Sequence, residues 1–256
     1  MPVVVITGAS SGIGRAMAMT WAVRGASMVL SARNEAALAE VARDVASAGG
    51  EAFVEAGDVT DEAHRQRLIT RAMTEKGRID VLVNNAGRGY YAAVRDIDPA
   101  ELEALFALNV IAPLRLTQLA LDPLITSGGT VVMVSSVAGV AVAPRMGAYA
   151  ASKFALEAIA MAARAELRAL GVRVVVVRPG PVETPFRENA VVTNGPAGVR
   201  PPGAHVQTAE LVAEKTIRAV EKSRAVVETS LFVRVASLAA RVAPGPFRVI
   251  SARMAR

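Results

Sequence analysis

The sequence predicts an α/β protein built on a doubly wound parallel sheet of about seven strands, with helices on both faces. Two observations lead to this prediction: short apolar segments alternate with longer helical segments along the whole chain, and several short segments are Val-rich with no polar alternation. Strands buried on both faces of a parallel sheet have this continuous apolar character. No shift in composition marks a boundary, so residues 1–256 are expected to form a single domain.

The apolar and helical patterns place each element in turn. Strands are expected at 2–7, 27–31, 51–56, 79–83, 129–135, 172–178 and 225–228. Helices are expected near 13–24, 35–48, 61–76, 100–121, 150–170 and 208–222. Strand, helix, strand repeated in this order is typical of a doubly wound sheet.

Two segments depart from this alternation. Residues 188–207 are rich in glycine and proline, which predicts a long loop that closes over a substrate. Residues 229–256 form an apolar and basic C-terminal extension, in which 230–242 has a helical pattern and Pro244-Gly245-Pro246 ends it. This extension is expected to cover the mouth of an active site, to pack on a partner subunit or, less expected, to touch an anionic membrane surface.

Charge and composition exclude several classes of protein. The net charge is +6, and most of it comes from five arginines that follow Glu228, the last acidic residue. One short basic tail is not a nucleic-acid-binding patch, so no nucleic acid partner is expected. The absence of cysteine excludes disulfides, thiolate catalysis and cysteine-ligated metals, and His64 and His205 are too few for a metal site. The N-terminal residues contain no charged leader, so a cytoplasmic location is expected.

A glycine-rich turn follows the first strand, in Gly8-Ala9-Ser10-Ser11-Gly12-Ile13-Gly14. Glycines at a strand–helix turn let the backbone approach a pyrophosphate, and the helix N-terminus offers free N–H groups, so the turn predicts dinucleotide binding. It also matches the G-x-S-x-G elbow of hydrolases, but that interpretation needs His205 as base and an earlier loop for the oxyanion. A P-loop is excluded because no Lys-Ser or Lys-Thr follows the glycines.

The end of the second strand indicates which nucleotide is bound. A carboxylate at this place binds a 2′-hydroxyl, whereas an arginine accommodates a 2′-phosphate. The sequence has Ala32 and Arg33 here and no acid. A guanidinium binds phosphate through two hydrogen bonds, so NADP(H) is expected in preference to NAD(H). The alternative is that Arg33 is a solvated residue at a helix start.

Tyr149 has a lysine four residues later, Lys153, on the same helical face. A phenol has an ordinary pKa of about 10, and a nearby ammonium is expected to lower it towards neutrality for acid–base catalysis. Ser136, just past a buried strand, is expected to face the same opening.

Taken together, these motifs resemble those of the short-chain dehydrogenase/reductase family, over about residues 1–225. The resemblance is carried by 7–14, Asp58-Val59, Asn84-Asn85-Ala86-Gly87, Asn109, Ser135-Ser136, Tyr149-Ala150-Ala151-Ser152-Lys153 and Arg178-Pro179-Gly180-Pro181-Val182-Glu183-Thr184. It implies a Rossmann-like fold and an enzyme that moves hydride between NADP(H) and a carbonyl or alcohol.

The resemblance also implies residue roles. Tyr149 is the acid/base, Lys153 holds the ribose and tunes the phenol, Ser136 binds the substrate oxygen, and Asn109 orders a relay water. The implied cofactor-binding residues are Gly8, Ser10, Ser11, Gly12, Ile13, Gly14, Arg33, Asp58, Val59, Asn85, Ala86, Gly87, Tyr149, Lys153, Pro179, Gly180, Val182 and Thr184. Many NADP-dependent relatives have a basic residue in the glycine turn where this chain has Ser11, which leaves Arg33 as the phosphate anchor and Arg15 as a helper.

The expected substrate is a small lipophilic ketone, aldehyde or alcohol. The expected pocket walls are mostly apolar: Tyr90, Tyr91, Val137, Met146 and the loop 185–206. The alternative for the two adjacent tyrosines is simple packing under a loop. A homodimer or homotetramer is expected from helices 100–121 and 150–170, because the resemblance places a dimer interface there. A non-catalytic NADP(H)-sensing regulator on the same fold is the rival to an enzyme.

Overall fold

The computed structural model describes residues 1–195 and 205–242. Its central feature is a sheet of seven parallel strands: β1 (Val3–Thr7), β2 (Ser27–Ala32), β3 (Glu51–Ala56), β4 (Val81–Asn84), β6 (Thr130–Val134), β7 (Arg173–Arg178) and β9 (Val226–Glu228). Their order across the sheet is β3-β2-β1-β4-β6-β7-β9. A separate two-stranded pairing joins β5 (Tyr90–Tyr91) to β8 (Val191–Val192). The predicted parallel α/β fold is confirmed, with a strand at each of the seven expected places.

Helices cover both faces of this sheet. They are α1 (Gly12–Ala22), α2 (Glu35–Ser47), α3 (Glu62–Lys76), α4 (Pro99–Phe106), α5 (Ala112–Leu119), α6 (Leu121–Ser127), α7 (Gly147–Arg168), α8 (Ala209–Glu221) and α9 (Leu231–Val242). On one face, α1, α2 and α8 pack against Val4 and Ile6 of β1. On the other, α3, α5 and α7 pack against Val5. Alternate residues of one buried strand thus contribute to two apolar cores, which explains the continuous apolar runs.

The expected helix over 100–121 is interrupted. A π-helical turn, Ala107–Ile111, separates α4 from α5, and α6 begins directly afterwards. Pro113 and Pro123 stand in the first turns of α5 and α6, where a missing N–H is tolerated. The chain after Pro123 is helical as far as Ser127, and Gly128 ends α6 with φ 61°.

The run Pro99–Leu119 is also long and apolar enough, by length and composition, to cross a membrane. Leu105 and Leu116 of this run are buried in the protein, and buried core helices have the same composition. This composition is therefore weak evidence for a membrane span.

The two unusual segments are described only in part. In the predicted substrate loop, β8 pairs with β5, and Gln207 bridges to Val182. Residues 196–204 of that loop and 243–256 of the C-terminal extension lie outside the described residues. The predicted C-terminal helix is present as α9.

A buried ion pair connects the sheet to α7. The Arg178 guanidinium at the end of β7 donates two hydrogen bonds, of 2.9 and 2.8 Å, to the two carboxylate oxygens of Glu157. A third donor of Arg178 lies 3.3 Å from Glu228 on β9. Because Glu157 is one helical turn after Lys153, this bidentate pair anchors α7 directly beneath that lysine.

Candidate active site

A cleft of about 1270 Å³ opens along the carboxyl ends of the strands. In a doubly wound sheet this edge, where the strand order reverses, is the usual ligand site. The cleft is lined by eighteen residues predicted from the sequence: Gly8, Ser10, Ser11, Gly12, Ile13, Arg33, Asp58, Val59, Asn85, Ala86, Gly87, Ser136, Tyr149, Lys153, Pro179, Gly180, Val182 and Thr184. Gly14 and Asn109, the other two predicted site residues, lie behind this lining.

The glycine turn packs too tightly for side chains. A Cβ atom on Gly14 would lie 2.2 Å from the Gly8 carbonyl oxygen, and Gly8 itself has φ +65°. The Asn85 side-chain amide donates to the carbonyl oxygens of Thr7 and Gly8, at 2.9 and 3.2 Å. These contacts bring the turn directly against the end of β4, so the helix α1 starts at the cleft.

The first turn of α1 fits a pyrophosphate group. Ser11 precedes the helix in an extended conformation and makes no side-chain capping hydrogen bond, and the first turn contains no acidic residue. Uncapped N–H groups and the positive end of the helix dipole are therefore available to an anion. Neither His64 nor His205 lines the cleft, so the hydrolase interpretation of Ser10 lacks its base.

Arg33 lines the cleft just after β2, together with Asn34 and with Asp58, which follows β3. Asp58 accepts hydrogen bonds from the backbone N–H and hydroxyl of Thr60, both 2.8 Å long. Although partial burial opposes ionisation, these bonds and the nearby Arg33 charge hold the pKa of Asp58 below its ordinary value. Arg15, the expected helper, instead pairs with Asp44 at 2.9 Å and does not line the cleft.

Tyr149 lies at the other end of the cleft with its phenol almost fully buried. The ring packs 5.7 Å from Phe186 and 6.5 Å from Tyr91, measured between centroids. Burial raises the pKa of Tyr149, and the hydrogen bond with the Ser136 hydroxyl only partly opposes this shift. The expectation that the pKa of Tyr149 is shifted towards neutrality is therefore wrong for the protein as described, because the cost of burying a phenolate dominates.

Lys153 is equally buried and shares this dry environment. Its ammonium lies 5.9 Å from the centroid of the Tyr149 ring and donates a 2.9 Å hydrogen bond to the Val134 carbonyl oxygen. Burial lowers the pKa of Lys153 to about 8, although the Glu157 carboxylate favours the charged form. Lys153 is thus close to its titration point at neutral to slightly alkaline pH.

Asn109 is held by the π-helical turn behind the cleft. Its amide nitrogen donates to the Arg88 carbonyl oxygen and the Ser152 hydroxyl, each at 3.0 Å, and its amide oxygen accepts from the Arg88 N–H. A Cβ atom on Gly87 would lie 3.0 Å from the Asn109 oxygen and 3.6 Å from the Lys153 nitrogen. Asn109 therefore fixes the loop that follows β4 next to Lys153.

The walls around Tyr149 differ in part from those expected. Tyr91, Val137 and Met146 line the cleft, but Tyr90 does not. Tyr90 is a core residue, and its hydroxyl accepts a hydrogen bond from the Asp98 N–H. Successive residues of a strand point to opposite faces, so only one of two adjacent tyrosines reaches the cleft.

Phe186 and Arg187 belong to the expected loop 185–206, and they line the cleft as predicted. Four further wall residues were not identified from the sequence: Phe232, Val235, Ala236 and Ala239 of α9. The apolar period of α9 was the available signal for the last four. Three roles were expected for the extension, and the position of α9 beside the cleft fits the first of them, covering an active site.

Comparison with known proteins agrees with this geometry. A sequence profile described as short chain dehydrogenase matches residues 2–194. The mouse protein dehydrogenase/reductase SDR family member 7B is 33% identical, over 99% of this chain and 81% of its own. The chain belongs to the short-chain dehydrogenase/reductase family, a class of nucleotide-binding oxidoreductases.

Two solved structures of this family are similar over most of their length. A short-chain dehydrogenase from Sphingobium yanoikuyae in complex with NADPH is 28% identical with a TM-score of 0.80, covering 100% of this chain and 94% of its own. A short chain dehydrogenase/reductase from Burkholderia phymatum in complex with NAD is 26% identical with a TM-score of 0.83, covering 93% of this chain and 92% of its own.

The depressed pKa of Lys153 predicts a pH-dependent stability. The unfolded chain binds a proton at this lysine up to its ordinary pKa of 10.5, whereas the folded chain releases it near pH 8. Between these values the unfolded state holds more protons, so stability rises with pH. Relative to Lys153→Met, the wild-type free energy of unfolding should rise by about 1–2 kcal/mol from pH 7.5 to 9.5, measured by urea denaturation. Lys222→Met, at an exposed site, should show no such difference, and a flat wild-type-minus-K153M curve would refute the burial argument.

Proposed function

We propose that this protein is an NADP(H)-dependent oxidoreductase that interconverts a carbonyl and an alcohol on a small lipophilic substrate. The observation that carries the proposal is the hydrogen-bonded pair of Ser136 and Tyr149 in the same cleft as Lys153 and the glycine turn. A bound nicotinamide would supply or accept the hydride. The residues of this chain orient the substrate oxygen and handle its proton.

Ser136 and Tyr149 present two hydroxyl groups to one point of the cleft. A carbonyl oxygen bound there receives two hydrogen bonds, which stabilise the negative charge that develops during reduction. The raised pKa keeps Tyr149 protonated, so it holds the proton that the new alcohol oxygen needs. The Lys153 ammonium, held by Val134, stabilises the phenolate that this transfer leaves behind.

The walls of the cleft support a neutral, apolar substrate. Tyr91, Phe186, Val137 and Met146 surround the reacting end. Arg88, which also lines the cleft, forms a 2.7 Å ion pair with Glu101, and Arg187 hydrogen-bonds Tyr91. Since the Glu101 carboxylate compensates the charge of Arg88, a substrate gains little from carrying its own charge beside that guanidinium.

Tyr149→Phe should reduce kcat for carbonyl-dependent NADPH oxidation about 1000-fold, because general acid catalysis contributes 10²- to 10⁴-fold. The Kd for NADPH, measured by fluorescence, should change by less than about threefold. Tyr91→Phe removes a neighbouring phenol that transfers no proton and should retain at least about a tenth of the activity. An active Y149F enzyme would refute the assignment. If the wild-type protein binds NADPH but no ketone or aldehyde causes NADPH to be oxidised, the result would instead support a nucleotide sensor.

NADP(H) is the proposed cofactor because Arg33 lines the cleft and the two residues directly after β2, Arg33 and Asn34, are not acidic. Structures of the family contain either nucleotide, so the choice depends on this chain's own residues.

Arg33→Ala should raise the KM for NADPH roughly 10- to 100-fold, as expected for one charged hydrogen-bonding partner of a phosphate, and leave the KM for NADH nearly unchanged. Arg15→Ala is the matched control, since Arg15 is an arginine near the same turn that pairs with Asp44. An equal rise in the KM values for NADPH and NADH in R33A would contradict the assignment of NADP(H) as cofactor. A wild-type preference for NADH would contradict it as well.

We also propose a homodimer or homotetramer that uses the helical face of α5 and α7. Ile111 beside α5, and Phe154 and Met161 seven residues apart on α7, are exposed apolar residues on this side. Light scattering should give a multiple of 26.6 kDa. Phe154→Asp combined with Met161→Asp should give the single-chain mass, and a monomeric wild-type protein at micromolar concentration would refute the oligomer.

A further inference from the structure

The C-terminal helix α9 presents three different faces. Val233 and Ser237 are buried against the rest of the protein. A second face contributes Phe232, Ala236 and Ala239 to the wall of the cleft. The third face, called here the α9 stripe, contains the apolar residues Leu231, Val235, Leu238 and Val242, which are 73%, 58%, 63% and 75% exposed.

The α9 stripe is a continuous apolar surface. Its members are spaced by four, three and four residues, so they align along one side of a helix of 3.6 residues per turn. Single exposed apolar residues are ordinary, but four in register on one helix form a patch that marks an interaction site. No other element of the described residues covers them, as their exposure shows.

Positive charge borders this stripe on one side. Arg234 and Arg241 are exposed, and at 100° per residue they fall beside the stripe on the side away from the cleft-lining residues. The sequence after Glu228 contains five arginines and no acidic residue. An apolar stripe flanked by arginines is the pattern of a helix that lies flat in a lipid–water interface.

We propose that α9 docks this protein peripherally on an anionic lipid surface, with the α9 stripe in the acyl boundary and Arg234 and Arg241 at the headgroups. Charge complementarity favours lipid phosphates over a second copy of the helix, since a copy brings two more arginines and no acid to this face. Docking depends on α9 alone and not on the proposed function.

The α9 stripe adjoins the wall of the cleft, so docking would also affect the surroundings of the cleft. Val235 belongs both to the stripe and to the cleft wall, so the two apolar surfaces are continuous. A docked helix therefore places this wall of the cleft beside the lipid phase, and for the apolar substrate of the proposed function it offers a route from the lipid.

The full-length protein should co-sediment with vesicles of phosphatidylcholine containing about one third phosphatidylglycerol, and at least about tenfold less with pure phosphatidylcholine. Two double variants remove the two parts of the surface: Leu231→Gln with Leu238→Gln, and Arg234→Gln with Arg241→Gln. Each should weaken binding to anionic vesicles at least about tenfold. All four side chains are exposed, so circular dichroism and melting temperature should match the wild type.

Matched controls change equally exposed residues elsewhere. Val23→Gln with Val94→Gln removes two exposed apolar side chains, and Arg43→Gln with Arg224→Gln removes two exposed charges. Both controls should bind vesicles as the wild type does. The proposal is overturned if L231Q/L238Q binds normally, if neutral and anionic vesicles bind equally, or if the stripe variant changes the oligomer's mass while vesicle binding persists.

Discussion

The parallel pairing of β1 with β2 and β4 is the constraint on which the site depends. In this register Val4 lies opposite Met28 on one side and Val81 on the other, and all seven strands run in the same direction. Residues that follow the strands therefore meet at one edge: the glycine turn after β1, Arg33 after β2, Asn85 after β4 and Ser136 after β6. Groups separated by more than a hundred residues, such as the glycine turn and Ser136, are brought to this edge by the backbone hydrogen bonds of the sheet.

Burial has opposite effects on the two ionisable groups at the reacting end of the cleft. It raises the pKa of Tyr149 and lowers that of Lys153, because a dry environment disfavours both phenolate and ammonium. The charged form of the lysine is retained partly by Glu157, which the buried Arg178 holds in place. The site thus combines a protonated phenol with an amine near its titration point. Keeping this buried amine charged at neutral pH lowers the free energy of unfolding.

The cleft is lined by residues inside and outside the region that the family profile matches. The family profile ends at residue 194, so α8, β9 and α9 follow the matched region. The glycine turn and the Ser136–Tyr149–Lys153 group lie within the match. The wall formed by Phe232, Val235, Ala236 and Ala239 lies beyond it. The apolar walls of the cleft therefore come from both regions, since Tyr91, Val137 and Phe186 lie within the match, and α9, which follows it, also presents the α9 stripe.

Local patterns in the sequence were sufficient for the fold, and the resemblance to the family supplied much of the cleft lining. Val-rich runs predict strands buried on both faces, the glycine turn predicts a helix start beside a ligand, and the spacing of Tyr149 and Lys153 predicts a common helical face. Each of these depends on residues a few positions apart. The interruption at Asn109, by contrast, depends on hydrogen bonds to Arg88 and Ser152, which are distant in the chain.

Tertiary packing alone decided the remaining features. Which of Tyr90 and Tyr91 faces the cleft follows from the pairing of β5 with β8, a hundred residues later. The raised pKa of Tyr149 follows from burial among rings brought in by other segments, and Phe186 supplies one of them. An amphipathic period shows that α9 has an apolar side, but not which apolar residues remain uncovered. Burial is a sum over neighbours from the whole chain, and short-range sequence patterns do not contain it.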